Sequence, residues 1–450
     1  VVGGALLALC VTAPAVRAED DDKTVNEKIL DILLERGDIT PQRYEQLRKE
    51  ALEEKQTTAL PAVAAGEPQP TDWKVYWNNG TRIERNDGRY KVKIGGRIQF
   101  DAAASHASNR LGNVFPDAEG TGVDFRRARL FVSGALGEHA IFKAQYDFAG
   151  SDADFKDVWV GLRNIPIVGT VRAGHFKEPQ SFEMTTSSKY ITFLERSLPV
   201  LAFTSERDSG IGFHNQFFDE RMTVHVGGFR DVGDDGEEFD NNGNYNVGFR
   251  VTGLPYYEDE GEHLIHTGFW YSHQFRRNEM LMYDPDAESN TVGSLLDMPD
   301  IPIDGVDLLG GELATICGPF YAQSEFILSQ VDGDGSGGDR TFYGSYITAG
   351  YFLTGEHRAY DQELGIMDRT KVLKPFSLSK GQWGGLELAG RWSYLSLNDG
   401  AVRGGIQNDF TLGANWYLYS NLRLMFNWVH ANRNGVGQAD IFQSRVSLDF

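Results

Sequence analysis

Two cysteines in 450 residues leave little room for disulfide chemistry. Cys10 falls in the opening apolar run, where Leu9 is too large for a lipoprotein cleavage box. Once that run is removed only Cys317 is left, and no intramolecular disulfide can form. Proline is scarce, at 15 residues against 51 glycines, while 41% hydrophobic and 12% aromatic residues are too many for a disordered or collagen-like chain. Beyond the first twenty residues no stretch of eighteen apolar residues is free of charge. Helical membrane spans are thereby excluded, whereas a transmembrane β-barrel would leave this same composition. Basic residues are outnumbered, 43 against 64 acids, for a net charge of -21. Nucleic acid is a poor partner for such a chain, because duplex binding rests on neutralising phosphates. Catalytic signatures are missing too: no Gly-x-Ser-x-Gly elbow, no His-Glu-x-x-His and no phosphate-binding glycine loop followed by Lys. No enzyme activity and no cofactor are expected. His263 and His266 lie three apart on a strand pattern and so face opposite sides, which argues against a shared metal. Asp332 to Asp339 is similar to a calcium loop, but Tyr343 stands where a bidentate Glu is needed, so a hairpin tip is expected.

What is present falls into four segments. Residues 1–18, VVGGALLALCVTAPAVRA, fit the apolar core and small-residue cleavage site of a secretory signal cut after Ala18; the initiator Met and the basic start are missing, so the signal reads as truncated. Residues 19–57 read as a periplasmic helical segment. Val25, Ile29, Ile32 and Leu33 share one face, Gly37 can stop a first helix, and Thr40-Pro41 can start a second carrying Tyr44, Leu47 and Ala51. The pair is either a hairpin or coiled coil, or a solvated amphipathic pair without a partner. Residues 58–72 form an Ala/Pro-rich linker.

From Trp73 to Phe450 the period changes to two. In YKVKIGGRIQF, Tyr90, Val92, Ile94, Gly96, Ile98 and Phe100 face one way and Lys91, Lys93, Gly95, Arg97 and Gln99 the other. Similar segments recur near 124–136, 139–149, 155–163, 169–177, 209–218, 221–230, 244–254, 263–273, 308–317, 319–330, 341–353, 383–396, 405–418, 421–431 and 441–450. Sixteen strands joined by alternately short and long connections predict an all-β fold, a 16-stranded antiparallel transmembrane β-barrel over 73–450 in contact with outer-membrane lipid. The competing soluble β-sandwich array would have to bury a second face that is too charged. Tyr343, Tyr351, Trp392, Tyr394, Phe442 and Phe450 sit at strand ends and suit interfacial girdles. With odd-numbered strands running outward, the long stretch 355–382 falls on the periplasmic side, against the usual rule of short turns there.

The run FRRARLFVSGAL, then KAQYDFAG, DVWVGL, RAGHFKEPQSFE, TSSKYITFLERS and GIGF, followed by YFLTGE and the terminal Phe450, resembles the phosphate-selective porin family, porins O and P, over residues 73–450. The resemblance implies a homotrimer of outer-membrane pores, with basic side chains in each lumen and an inward-folded third external loop that narrows it. That loop corresponds to 178–208. Here Lys177, Lys189, Arg196 and Arg207 stand beside Glu178, Glu183, Glu195 and Glu206, which leaves open whether the loop is a paired structural lattice or the selectivity site.

Strand parity tests the basic lining independently. It turns Lys91, Lys93, Arg97, Arg127, Arg129, Lys143, Arg163, Arg172, Arg250, Arg391, Arg423 and Arg445 inward, with Asp101, Asp147, Asp157, Glu325, Glu387, Asp409 and Asp449, so inward bases exceed inward acids by five. Arg126 belongs by parity to the lipid face, from which it can snorkel to the headgroups. A positive field in a confined tube concentrates anions, and a ladder of similar sites lets them leave as well as enter. Some of these bases will instead pair across strands with the inward acids. Asp231, Asp234, Asp235, Glu237, Glu238 and Asp240 give one mouth segment an acidic character that repels phosphate at low salt, so general anion permeation is better supported than phosphate specificity. The expected function is passive diffusion of small anions, with phosphate or polyphosphate as candidates; the rival is a non-transporting surface barrel, an adhesin or structural anchor.

Overall fold

Alternation of apolar and polar side chains gives a strand one face for lipid and one for a lumen, and only a closed sheet leaves no backbone edge unsatisfied in a membrane. The computed structural model describes residues 32–34, 36–58, 72–150, 152–233, 236, 238, 239, 243–334 and 338–450. The expected signal, the first part of the helical segment and most of the linker lie outside them. The chain divides into two units, Val1–Gln69 and Pro70–Phe450. In the first, Gly37 in the left-handed region ends a short helical stretch at 32–34. A helix follows at Pro41–Thr58, where Pro occupies the first turn and the Thr40 hydroxyl accepts the Arg43 amide.

The second unit contains β1 (Trp73–Trp77), β2 (Thr81–Arg85), β3 (Tyr90–Ala107), β4 (Gly120–Leu136), β5 (Ala140–Asp147), β6 (Asp154–Ile165), β7 (Gly169–Phe176), β8 (Asp208–Phe217), β9 (Met222–Arg230) and β10 (Tyr245–Glu258). It continues with β11 (His263–Leu281), β12 (Ile301–Cys317), β13 (Phe320–Gly333), β14 (Arg340–Phe352), β15 (Ala359–Asp361), β16 (Ile366–Asp368), β17 (Gly385–Asp399), β18 (Val402–Tyr419), β19 (Leu422–Arg433) and β20 (Gly437–Asp449). Sixteen of them, β3 to β14 and β17 to β20, pair antiparallel in sequence order. The ring closes where β20 meets β3, from Ala439 opposite Ala107 to Asp449 opposite Arg97. Phe450 completes the seam by exchanging backbone hydrogen bonds with Gly96. All sixteen expected strands are present, and several run longer: β3 reaches Ala107, β11 reaches Leu281 and β12 begins at Ile301.

Four strands were not expected: β1 and β2 at the start, and the short pair β15–β16 within the connection 353–384. β1 and β2 form a hairpin across Asn78-Asn79-Gly80, and β2 pairs with β3 at residues 91–94, on the edge that β20 leaves open below Arg97. Register places Trp73, Val75, Trp77 and Ile83 on the lipid side of the wall and Arg82 and Glu84 on the lumen side.

At one end of the barrel the connections are short, at 137–139, 166–168, 218–221, 259–262, 318–319 and 420–421, and the long stretch 353–384 joins them there. Three connections turn inward. Residues 177–207 cross the lumen: Arg97 donates to the Ser188 hydroxyl on one wall, while Asn415 donates to the Thr192 carbonyl on the other. From the same long-connection mouth as 177–207, 282–300 drives Glu288 against Arg391, Ser393 and Thr411. From the short-turn end, 353–384 sends the β15–β16 hairpin to Arg250, which donates to the Leu364 and Gly365 carbonyls. Apolar side chains seal these insertions, with Leu198, Val200 and Phe203 packed against Trp270, Ile327, Tyr346 and Leu395, and Phe182 against Met367, Tyr321 and Phe352. The lumen beside β10–β20 is therefore packed, a burial of the second face that parity alone gave no reason to expect.

Candidate anion pathway

Beside β3–β9 the lumen stays open as a cavity of about 650 Å³. Fourteen of its lining residues are Lys or Arg and four are Asp or Glu, so the sign of the whole chain is reversed there. Of the bases that parity turned inward, Lys91, Lys93, Arg97, Arg127, Arg129, Lys143, Arg163, Arg172 and Arg250 line this cavity. The loop residues Lys177, Lys189, Arg196 and Arg207 line it too. Arg391, Arg423 and Arg445 do not. Arg391 meets Glu288 and Glu183, Arg423 donates to the Ile191 carbonyl, and Arg445 holds Asp101 through two 2.6 Å bonds while reaching Glu195 at 2.8 Å. All three fasten 177–207 or 282–300 to the far wall.

The lining bases differ in how far they are neutralised. Arg129 meets Asp147 at 2.5 Å, Lys143 meets Asp157 at 2.7 Å, and Lys91 lies 3.8 Å from Glu84. Arg250 holds Glu312 in a two-pronged bond at 2.8 and 2.9 Å, and His266 shares that carboxylate. Arg207 reaches Asp157 and Glu206, and Arg196 reaches Glu206. By contrast Lys93, Arg97 and Arg172 have no carboxylate within ion-pair distance among the described residues. Arg97 donates to the Ser188 hydroxyl at 2.5 Å, and Arg172 stands over Trp159 with its Nε buried and unbonded. Arg127 donates to Gln99, with Glu195 only at 4.0 Å.

Loop 177–207 is braced by its own cations. Lys177 donates to the carbonyls of Met184, Thr185 and Thr186, and Arg196 to those of Glu183, Met184 and Thr186. Both cations thus satisfy the C-terminal carbonyls of the helical turn Phe182–Thr185. Glu325 caps the other end, accepting the Phe182 and Glu183 amides. Glu195 is held well below the usual carboxylate range by Arg126, Arg127 and Arg445, which outweigh its burial. Lys189 is pulled down to about 7 by burial and by Arg97, which outweigh Asp449 at 3.8 Å.

Arg126 corrects the parity reading. Gln99 pairs with Arg127 but Phe100 pairs with Phe125, so Arg126 is the extra residue of a β-bulge. The bulge turns it inward, where it forks onto Glu195 at 2.9 and 3.2 Å, while Phe125 and Leu130 keep the lipid face. Sequence parity also missed Arg82 and Glu84 because the hairpin carrying them went unread. The Asn-Gly turn between WKVYW and TRIER was the signal for it. Arg391 is taken out of the pathway by Glu183, which the sequence placed among the loop acids, and by Glu288, which had no local signature.

Among curated proteins, an uncharacterised protein of Caulobacter vibrioides is 27% identical over 415 residues, covering 88% of this chain and 80% of that protein. Among solved structures, the anion-selective porin from Comamonas acidovorans superposes with a TM-score of 0.51 at 13% identity, covering 80% of this chain and 100% of that one. Salmonella typhi OmpF in complex with daunomycin gives 0.51 at 12% identity over 84% of this chain and 100% of its own. The trimer form of Vibrio cholerae OmpT gives 0.50 at 11% over 80% and 100%. At such identities the superpositions establish a shared porin barrel. Family assignment comes from the sequence itself: residues 92–448 match the family described as phosphate-selective porin O and P, and over that span the chain belongs to it, as an outer-membrane porin.

Proposed function

We propose that this porin passes small anions, phosphate among them, by passive diffusion along the β3–β9 side of its lumen. The observation that carries the reading is a lining of fourteen bases against four acids inside a chain of net charge -21. Lys93, Arg97 and Arg172 supply charge that no carboxylate among the described residues pairs with, and a planar guanidinium can hold phosphate or carboxylate oxygens two at a time. A series of such sites favours entry without trapping the ion. The Comamonas protein is described as anion-selective, and the Vibrio OmpT structure as a trimer. The first description supports anion passage and the second three barrels side by side; the reading also puts the N-terminal helical segment in the periplasm. An adhesin or anchor would need no unpaired cations in its lumen.

The test is the reversal potential of the purified protein in a planar bilayer under a potassium chloride gradient. Wild type is expected to prefer chloride, and added phosphate should reduce the chloride current. Changing both Arg97 and Arg172 to Glu should move the potential toward cation preference. One charge about 4 Å from a passing ion is worth on the order of 4 kcal/mol before screening at an effective dielectric near 20, so a heavily screened effect is still measurable. A wild-type channel that prefers potassium would end this reading.

A further inference from the structure

Cations of the cavity, Lys93 and Arg172 without a carboxylate partner among the described residues and Lys143 paired with Asp157, are interleaved with rings. Across five neighbouring strands the lumen wall presents Lys93 on β3, Phe131 on β4, Lys143 on β5, Trp159 on β6 and Arg172 on β7, all lining the cavity. Register makes this a continuous band. Phe131 is opposite Gly95, Lys143 is opposite Ser133 and Trp159, and Arg172 is opposite Gly161. The ammonium groups of Lys93 and Lys143 lie 5.6 and 5.9 Å from the Phe131 ring centre, and the Arg172 guanidinium lies 4.8 Å from that of Trp159. A Cβ on Gly95 would come within 2.9 Å of the Phe131 ring, so that ring lies along the wall in the space a side chain would need.

A band built only for inorganic phosphate gains nothing from the rings. Their faces carry negative potential, and a hydrated polyanion prefers hydrogen-bond donors in their place. The spacing suits an anion with a flat apolar body, whose ring can stack beside Trp159 or Phe131 while its charged end meets Arg172, Lys143 or Lys93. The volume, about 650 Å³, admits such a molecule with water to spare. We propose that the band is a binding site for aromatic carboxylates, and that these are a preferred substrate class of the pore; the proposal rests on the anion-porin reading above.

The measurement is block of the chloride current through the purified, bilayer-inserted protein by benzoate, acetate and cyclohexanecarboxylate. One stacked ring pair corresponds to roughly a fivefold gain in binding, so benzoate should reach half-block at about a fifth of the concentration acetate requires. Cyclohexanecarboxylate, equally apolar but without a flat ring, should fall nearer acetate. In Trp159→Leu and in Phe131→Leu the benzoate-to-acetate ratio should shrink toward one. Because the ratio is taken on the same channel, a change of pore width common to both anions cancels. Equal block by benzoate and cyclohexanecarboxylate in wild type, or an unchanged ratio in both variants, overturns the proposal. The reversal potential read in the same bilayer separates the two failures: a channel without anion preference overturns both readings, and an anion-preferring channel with equal block overturns only this one.

Discussion

At the scale of single residues, an inward-pointing arginine is defined by what it meets. Arg445 is fully buried and spends its guanidinium on Asp101, Glu195 and the Leu194 carbonyl, whereas Arg172, among the described residues, meets a ring face and no carboxylate. Removing one member of a buried ion pair costs about 3–5 kcal/mol, much of it from the charge left behind. Arg445→Met is therefore expected to lower the unfolding temperature of the barrel and to loosen 177–207, seen as noisier single-channel current, while Arg172→Met should change selectivity and leave thermal unfolding near wild type. Lys189 makes a second prediction. With its pKa pulled down to about 7 by burial and Arg97, it is charged below that pH and neutral above it. Anion preference should thus fall as pH rises from about 6 to about 8, and in Lys189→Gln this step should disappear from the reversal potential. A step of the same size in the variant would assign it to other groups.

Among the elements, the bulge in β4 and the inserted segment 353–384 do most to shape the pathway. Without the bulge Arg126 would face lipid; with it, Arg126, Arg127 and Arg445 converge on Glu195 and hold the crossing loop. The β15–β16 hairpin is held at several points. Arg250 takes the Leu364 and Gly365 carbonyls, His266 bonds the Tyr360 hydroxyl, and Glu363 reaches His214 at 3.2 Å. Replacing Ala359–Asp368 by a short Gly/Ser bridge should open the packed side of the lumen and raise single-channel conductance severalfold, with weaker anion preference because the added width is lined by paired charge. Unchanged conductance would mean that ions already bypass this segment.

For the whole molecule, the barrel holds because its backbone pairs all round the ring, which gives lipid no edge to solvate. Its lumen is divided: one side is packed by three insertions and the other is open and basic. The purified protein should migrate as a compact trimer in mild detergent at room temperature and shift mobility on boiling. A detergent-free soluble monomer would contradict the membrane assignment. External cysteine labelling should reach positions in 231–243 and miss positions near Asp361, given the end of the barrel at which 353–384 emerges.

By itself the sequence determined the sixteen strands, their order and the inward direction of the charged side chains it assigned, because a strand between lipid and water must alternate with a period of two and that rule is local. The residues from Lys91 to Arg172 that line the cavity were legible for the same reason. Tertiary structure decided which inward charges remain free. Arg391 and Arg445 look like Arg97 along the strand, and differ because Glu288, Glu183 and Glu195 arrive from loops a hundred or more residues away in the chain. It also decided the face of Arg126, since one extra residue in β4 reverses parity and only the partner strand shows where the extra residue sits. Period fixes which way a side chain points; what waits for it in the lumen is set by long-range packing, which no local pattern encodes.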